Sequence, residues 1–213
     1  MRLEIASHKA IKYACLNFHY AKVVPVTSIA FNVYNNKNEW CGCILFGGGA
    51  SYMLGHSYGL VSGQFLELTR MALNGKQEST SKAMAIAIKL IKKKKPLVKL
   101  LFSYADKGQN HLGIIYQATN WCLVDESKSS GNEVFYKGKW GHDRTPAAKL
   151  SNKEFNKLDK RKKAGKYKYV YPLTKELKVM CNKLKKPYPK KTLQNSRALS
   201  DEVDSNSNSK LEA

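Results

Sequence analysis

A strand, a helix and a second strand follow one another in the middle of this 213-residue chain, and this pattern constrains its fold more than any other feature. Gln64–Leu73 alternates apolar and polar residues, as a half-buried strand does. Ser81 is a suitable N-cap for a helix that runs to about Lys93 and is apolar nearly all round. Leu97–Ala105 is an almost continuous apolar strand. The three elements predict a βαβ unit and therefore an α/β fold.

Shorter patterns on both sides of this unit predict further strands and helices. In chain order they are a short strand in Met1–Ser7, a helix in Lys9–Asn17, strands in Val26–Tyr34 and Trp40–Phe46 joined by a turn at Asn35–Asn38, a helix in Gln109–Thr119, and a hairpin of Trp121–Asp125 with Glu133–Lys137. The whole pattern predicts one core.

The chain carries far more basic than acidic residues. Its 37 Lys and Arg against 16 Asp and Glu leave a formal net charge of +21, more than solubility requires of a small domain, so a polyanion is the expected partner.

No stretch is apolar enough for a membrane span, and the N-terminus lacks the apolar run of a signal peptide. We therefore expect an intracellular protein with reduced thiols. Its five cysteines form neither an even disulfide set nor a CxxC pair: Cys15, Cys41, Cys43, Cys122 and Cys181.

More than half of the excess charge lies in residues 149–190, which hold 15 Lys or Arg and three Asp or Glu. One interpretation is a solvated charged face without a partner. The other is a basic extension that binds nucleic-acid phosphates, with the tyrosines that alternate with lysines in 166–171 as stacking platforms. The candidate phosphate-binding residues are Lys160, Arg161, Lys162, Lys163, Lys166 and Lys168.

Composition also predicts the domain boundaries. Residues 1–148 form the predicted body of the protein, 149–190 the basic extension, and 191–213 a disordered tail that is rich in Ser, Asn, Asp and Glu without apolar periodicity.

The stretch from Tyr104 to Tyr116 joins the carboxyl end of a buried strand to a helix, which is where open α/β sheets place their ligands. Asp106 is a candidate general base or orienting group, and Asn110 and His111 supply nearby donors and acceptors. The alternative is that Asp106 only caps the helix.

Two further pairs are candidates for the same site. Strand alternation puts Glu67 and Thr69 on one face and Leu68 and Arg70 on the other, and charges in mid-sheet are costly unless they are used or paired. The alternative is a salt bridge on an edge strand. His19-Tyr20 is either a site acid, base or stacking ring, or an aromatic plug of the core.

A metal site is not predicted. Cys41 and Cys43 fall on one strand face, but no further Cys or His lies at ligand spacing, so we expect both thiols to be buried as small apolar groups.

The order of elements, together with Glu67-Leu-Thr-Arg70, Ser81 at a helix start, Tyr104-Ala-Asp106 and Tyr116-Gln-Ala-Thr-Asn120-Trp121, resembles the phage Mom family of DNA adenine-modification proteins over about residues 15–145. That family is a divergent branch of the GNAT acyltransferase fold. The resemblance implies a mixed, mostly antiparallel central sheet with a splayed parallel βαβ unit and flanking helices. It also implies transfer of a carbamoylmethyl (acetamido) group to N6 of adenine in double-stranded phage DNA, in the cytoplasm of the host bacterium, as protection from host restriction.

The resemblance further implies roles for individual residues. It matches His19, Tyr20, Arg70, Ser81, Asp106 and Tyr116 to the family's site, with Tyr20, Arg70 and Asp106 as catalytic residues, Ser81 and Tyr116 at the donor or cofactor, and His19 at the substrate. The positions of the other candidates in this chain add Asn110 at the donor or cofactor, and Glu67, Tyr104 and His111 at the substrate.

One departure from ordinary acyltransferases concerns the loop before the helix. Those enzymes have Arg/Gln-x-x-Gly-x-Gly/Ala, whose backbone N–H groups bind the coenzyme A pyrophosphate. Residues 75–81 here lack the Gly and the final Gly or Ala of this motif. We therefore expect weak acetyl-coenzyme A binding and a smaller, unidentified donor. Two other functions stay open: a non-catalytic basic DNA-binding protein and a conventional GNAT N-acetyltransferase.

Overall fold

The computed structural model describes residues 1–49 and 51–190, which contain ten strands and six helices. The strands are β1 (Arg2–Ile5), β2 (Ile29–Tyr34), β3 (Trp40–Gly47), β4 (Phe65–Leu73), β5 (Leu100–Asp106), β6 (Cys122–Glu126), β7 (Ser129–Tyr136), β8 (Lys139–His142), β9 (Lys160–Ala164) and β10 (Lys166–Pro172). The helices are α1 (His8–Phe18), α2 (Thr80–Lys94), α3 (Ile114–Ala118), α4 (Arg144–Ala147), α5 (Asn152–Asn156) and α6 (Lys175–Leu184). Short 3-10 segments span Tyr52–Tyr58 and Lys107–Gln109.

Seven strands form the main sheet in the order β1-β2-β3-β4-β5-β10-β6, and three form a small sheet in the order β8-β7-β9. Within the described residues, β4 and β5 are the parallel neighbours and the other paired strands run antiparallel. The predicted mixed, mostly antiparallel sheet is therefore confirmed.

The predicted βαβ unit is also confirmed. The crossover helix α2 buries Ala83, Ala87 and Ile91 against one face of the sheet. The parallel strands pair only where Phe65–Glu67 meets Leu100–Phe102, and beyond these three positions β4 and β5 separate. Their separated ends leave room for a cleft inside the sheet.

The predicted boundary at residue 148 is wrong as a division of the fold, because β10 lies between β5 and β6 in the main sheet. Tyr169 is fully buried there, and Tyr167 and Tyr171 pack on the same core. The alternation of lysine and tyrosine is thus the period-two pattern of a central strand. The tyrosines are core residues of the sheet and do not form the exposed stacking platforms that the sequence suggested.

The predicted hairpin of residues 121–125 with 133–137 is also wrong. Strand β6 pairs with β10, whereas β7 pairs with β8 and β9 in the small sheet. Adjacent apolar segments predict strands but do not specify their partners, and here a segment more than 40 residues later supplies the partner of β6.

The predicted helix of residues 109–119 is shorter than expected. Lys107–Gln109 forms a 3-10 turn, and α3 begins only at Ile114, because Gly113 has a left-handed backbone conformation (φ 72°). A Cβ atom at Gly113 would lie 2.4 Å from the Tyr169 ring, whose hydroxyl donates a hydrogen bond to the Leu112 carbonyl oxygen (2.6 Å). Contact with β10 therefore fixes where α3 begins.

The predicted tail, 191–213, lies outside the described residues. Among the residues described, none of the helices has both the length and the apolar character that crossing a membrane requires. All five cysteines are buried free thiols, as expected for Cys41 and Cys43.

Gly113→Ala is expected to lower the free energy of unfolding by about 2–4 kcal/mol, because it adds a steric clash with Tyr169 to the cost of a left-handed alanine. Gly75→Ala is the matched control: Gly75 has φ 84°, and a Cβ atom there would meet nothing within 4 Å. We expect it to cost only about 1–2 kcal/mol. Denaturant unfolding would measure both values, and equal losses would contradict the proposed contact.

Candidate active site

The separated ends of β4 and β5 enclose a cleft of about 450 Å³. Its walls come from the end of α1, from the two strands, and from the segment between β5 and α3. The cleft brings together nine of the ten residues predicted for the catalytic, donor and substrate sites: His19, Tyr20, Glu67, Arg70, Tyr104, Asp106, Asn110, His111 and Tyr116. The tenth, Ser81, lies elsewhere.

Arg70 reaches the cleft because of a bulge in β4. Leu45 pairs with Arg70 and Phe46 with Leu68, so Thr69 is an extra residue and the simple alternation predicted for this strand is wrong. Arg70 Nη1 donates to the Thr69 carbonyl oxygen (2.6 Å). Its Nε is buried and has no hydrogen-bond partner among the residues that the structure describes. The guanidinium can therefore still donate to a bound carbonyl or anionic group.

His19 and Tyr20 stack with ring centroids 4.4 Å apart. The Ala21 backbone N–H donates to His19 Nδ1 (3.1 Å), which places the proton of a neutral imidazole on Nε2. Burial, followed by the positive charges of Arg70, His111 and Lys22, lowers the pKa of His19 to about 4. His19 is therefore neutral at pH 7 and acts as a hydrogen-bond donor through Nε2.

Tyr20 remains 56% exposed, and its ring meets that of His111 edge-on at 6.0 Å. Burial and the negative charge of Asp106 raise its pKa, while Arg70 lowers it. Because the net shift is upward, the Tyr20 phenol stays protonated at neutral pH. Of the two proton acceptors suggested by the sequence, Tyr20 and Asp106, the electrostatics favour Asp106.

Asp106 is the last residue of β5 and lines the cleft. Its Oδ1 also accepts the Gly108 backbone N–H at 2.9 Å, so the capping role considered as an alternative is real. Asn110 has a left-handed conformation (φ 52°) at the end of the 3-10 turn and, with His111, brings the chain back over the cleft. The turn therefore holds the carboxylate in place at the strand end.

Two tyrosines form the inner walls of the cleft. Burial and nearby Glu67 raise the pKa of Tyr104 to about 12. The Tyr116 hydroxyl is hydrogen bonded to Ser103 (2.8 Å), and its ring lies 4.8 Å from that of Tyr169. Burial raises the pKa of Tyr116 to about 12. Both rings stay neutral and provide apolar surface with fixed orientation.

Ser81 lies in a groove between α2 and α3, outside the cleft, and Ser79 caps the helix by accepting the Lys82 N–H. The loop before α2 makes hydrogen bonds within the chain. Gln77 bonds Thr80 across the helix start, and the Glu78 carboxylate, which accepts the Asn36 N–H, adds a negative charge. The donor role implied for Ser81 is thus not supported by its position.

The six predicted phosphate-binding residues are found in three environments. Lys160, Arg161, Lys162 and Lys163 lie on β9 of the small sheet. Lys166 lines the cleft, with its ammonium 6.0 Å from the Tyr104 ring. Lys168 is turned onto the rings of Phe102 (5.1 Å) and Tyr58 (5.7 Å), and burial lowers its pKa. Only the β9 residues have the placement expected of a phosphate-binding surface.

Sequence reasoning missed Phe18 and Thr69, and it assigned Lys166 to a different surface, although all three line the cleft. Phe18 could have been found from its position next to His19. No local sequence pattern indicates Thr69 or Lys166. A bulge in β4 brings Thr69 to the cleft, and the long-range pairing of β10 with β5 brings Lys166 there. In the part of the chain that the structure describes, no three His, Cys, Asp or Glu side chains converge as metal ligands would.

The strand order, the single splayed parallel pair and the cleft within it define the GNAT acetyltransferase fold. A spermidine N-acetyltransferase SpeG mutant from Vibrio cholerae matches with a TM-score of 0.50 and 8% identity over 84% of this chain and 99% of that chain. A Bacillus subtilis acetyltransferase in complex with CoA matches with a TM-score of 0.47 and 10% identity over 81% and 99% of the two chains.

The Mom protein family model matches residues 1–190, so the chain belongs to the Mom family and the resemblance drawn from its motifs is confirmed. Methylcarbamoylase mom of Escherichia phage Mu is 31% identical over 141 residues, which are 59% of this chain and 56% of that protein. The chain thus spans about half the length of the curated relative that it matches.

The lowered pKa of His19 gives a direct test of the site's electrostatics. NMR titration of the His19 ring is expected to show a midpoint near 4, below the ordinary 6.5. Arg70→Gln should raise this midpoint more than Lys22→Gln does, because both remove one positive charge but Arg70 contributes more. A midpoint near 6.5 in the unaltered protein would contradict the described burial of the ring.

Proposed function

We propose that this protein is a DNA-modifying transferase that adds a carbamoylmethyl group to N6 of adenine in double-stranded phage DNA, in the cytoplasm of the host bacterium, and so protects that DNA from host restriction. The observation that carries the proposal is the cleft between β4 and β5, in which Asp106, Arg70 and the His19-Tyr20 pair converge. Membership of the Mom family and the likeness to a methylcarbamoylase support this chemistry.

Adenine N6 is a weak nucleophile because its lone pair is delocalised into the ring. The site must hold the amine in line with an electrophilic carbon of the donor and remove a proton as the N–C bond forms. The bond from that carbon to the rest of the donor breaks in the same step, and the rest of the donor leaves with the bonding electron pair. Asp106 is the proposed proton acceptor, since it is fixed at the end of β5 and its neighbours His19 and Tyr20 are hydrogen-bond donors at neutral pH.

Arg70 is the proposed contact for the donor. Its side chain lines the cleft, and its positive charge would attract a carbonyl or anionic group of the donor. The loop contacts of Gln77 and Glu78 favour a donor smaller than acetyl-coenzyme A. Asn110 and Tyr116, which share the cleft, are proposed to position that donor.

In duplex DNA the N6 amine is paired, so the adenine must be extruded at a cost of a few kcal/mol and held in a pocket by stacking. Tyr20 and Tyr104 are the proposed stacking rings, because both line the cleft and both remain uncharged. Glu67 and His111, at the same walls, are proposed to contact the base edge.

Asp106→Asn is expected to lower the yield of modified adenine at least about 100-fold, because it removes the proton acceptor. The fold should persist, since the Asn carbonyl oxygen can still accept the Gly108 N–H. Asp125→Asn is the matched control, because Asp125 lies on β6 at the surface and pairs with Lys186.

The measurement is mass analysis of nucleosides from the DNA of cells that express each variant. It also separates the alternatives, since neither a non-catalytic DNA-binding protein nor an N-acetyltransferase of amines would leave an altered adenine. An unaltered nucleoside profile with the wild-type chain would refute the proposal, and full activity of Asp106→Asn would refute the role of Asp106.

A further inference from the structure

Phe135 of β7 lies on a face of the small sheet that is open to solvent. Val134 of β7 is 1% exposed, whereas its neighbour Phe135, which points to the opposite face, is 40% exposed. Trp140 lies directly across from Phe135 on β8, is 37% exposed, and has its ring centroid 5.6 Å away. The solvent-facing side of this sheet therefore carries a pair of large aromatic rings that the core does not use.

Arg161 of β9 joins these rings on the same face. Its guanidinium lies 4.3 Å from the centre of the Trp140 indole, and its Nε donates to Glu133 Oε2 (2.9 Å). The Arg161 side chain is still 54% exposed. Glu133 thus holds the guanidinium over the indole, while much of its surface stays open to a ligand.

Arg161 connects this face to a cavity that adjoins the cleft. A second cavity, of about 300 Å³, separates the small sheet from the turn after β5, and Asp106 lines both this cavity and the cleft. Its other wall includes Arg161, Lys162 and Lys163. A strand of DNA with one base in the cleft would therefore have its next nucleotides beside β9.

The chemistry of this face suits nucleic acid better than a lipid or protein surface. Arg161 and Lys163 share this face of β9 and attract phosphates, while Lys160 and Lys162 add positive charge from its other face. Aromatic rings and guanidinium planes stack on unpaired bases. Extruding the target adenine leaves its former partner base and neighbouring steps unstacked.

We infer that Phe135, Trp140 and Arg161 form a nucleobase-stacking surface that holds an unpaired stretch of DNA next to the cleft. The inference rests on the proposed function in taking DNA as the substrate. It assigns a binding role to Phe135 of β7 and Trp140 of β8, which the distribution of charge along the sequence does not indicate. Base stacking is thereby assigned to the small sheet.

The test uses the full chain and a short adenine-containing oligonucleotide, offered as a single strand, as a perfect duplex and as a duplex with the adenine mismatched. Tryptophan emission should be quenched by the single strand and the mismatched duplex more than by the perfect duplex. Trp140→Phe should remove most of this quenching, because Trp121 is fully buried and Trp40 lies on β3 of the main sheet, packed against Tyr13 and Phe18.

Affinity measurements across a salt series separate stacking from charge attraction. Trp140→Ala and Arg161→Lys should each weaken single-strand binding by about 5- to 100-fold without changing the salt slope, because each retains the net charge. Lys162→Gln should instead reduce the slope of log K against log salt by about 0.7. Tyr52→Ala is the control, since Tyr52 is an exposed ring (76%) on another part of the surface and its loss should change neither quantity.

Wild-type affinity in both Trp140→Ala and Arg161→Lys would overturn the inference. Equal quenching of Trp140 by heparin, or by vesicles of anionic phospholipid, would do the same, because neither contains a base. Arg161→Lys keeps the charge and the strand pairing, so it remains informative if Trp140→Ala unfolds. If cells produce modified adenine but these variants bind DNA as the wild type does, the stacking surface is refuted and the proposed reaction is not. If quenching depends on Trp140 but no modified adenine is found, the proposed reaction is refuted and the stacking surface is not.

Discussion

The short pairing between β4 and β5 is the constraint on which the rest of the site depends. These strands share only three paired positions, whereas β5 and β10 are paired over seven, Lys166 to Pro172 against Asp106 to Leu100. The end of β5 is therefore held firmly on one side while it opens a cleft on the other. A carboxylate at this strand end, Asp106, can face a ligand without losing the backbone hydrogen bonds that fix it.

Strand β10 also sets the depth of the cleft. Tyr169 buries its ring against Gly113, donates to the Leu112 carbonyl oxygen, and lies against Tyr116. Tyr116 in turn is hydrogen bonded to Ser103 of β5. These contacts hold the short helix α3 against the sheet, so the cleft wall that includes Tyr116 is supported by a strand from much later in the chain.

The sequence predicted the elements that depend on local patterns. Residues 64–106 show the βαβ unit because their periodicity changes from strand to helix to strand, and the stretch from Asp106 to His111 reaches the cleft because it follows a buried strand. Helix α1 and the β2-β3 hairpin were also predicted, each to within a few residues.

The errors share a physical cause, which is that local patterns do not specify partners. Lysine alternating with tyrosine fits an exposed basic arm and a central strand equally well, and only the pairing with β5 and β6 decides between them. Ser79 and Ser81 are equivalent as caps in sequence, and the fold uses Ser79. The bulge at Thr69 turns Arg70 to the cleft. It depends on the pairing of β4 with β3, so the sequence of β4 alone does not predict it.

The distribution of charge gives the cleft and its surroundings different selectivity. Asp106 and Glu67 line the cleft of a chain whose net charge is +21, while the cations of β9 lie outside it, across the second cavity. An anionic group is attracted to β9 and repelled by the two carboxylates of the cleft, whereas a neutral group can approach those carboxylates without this cost. Arg70 and Lys166 in the cleft walls offset part of the negative charge of these carboxylates. The fold thus keeps the carboxylates in the main sheet and the cluster of cations in the small sheet, and Asp106 lines both the cleft and the second cavity.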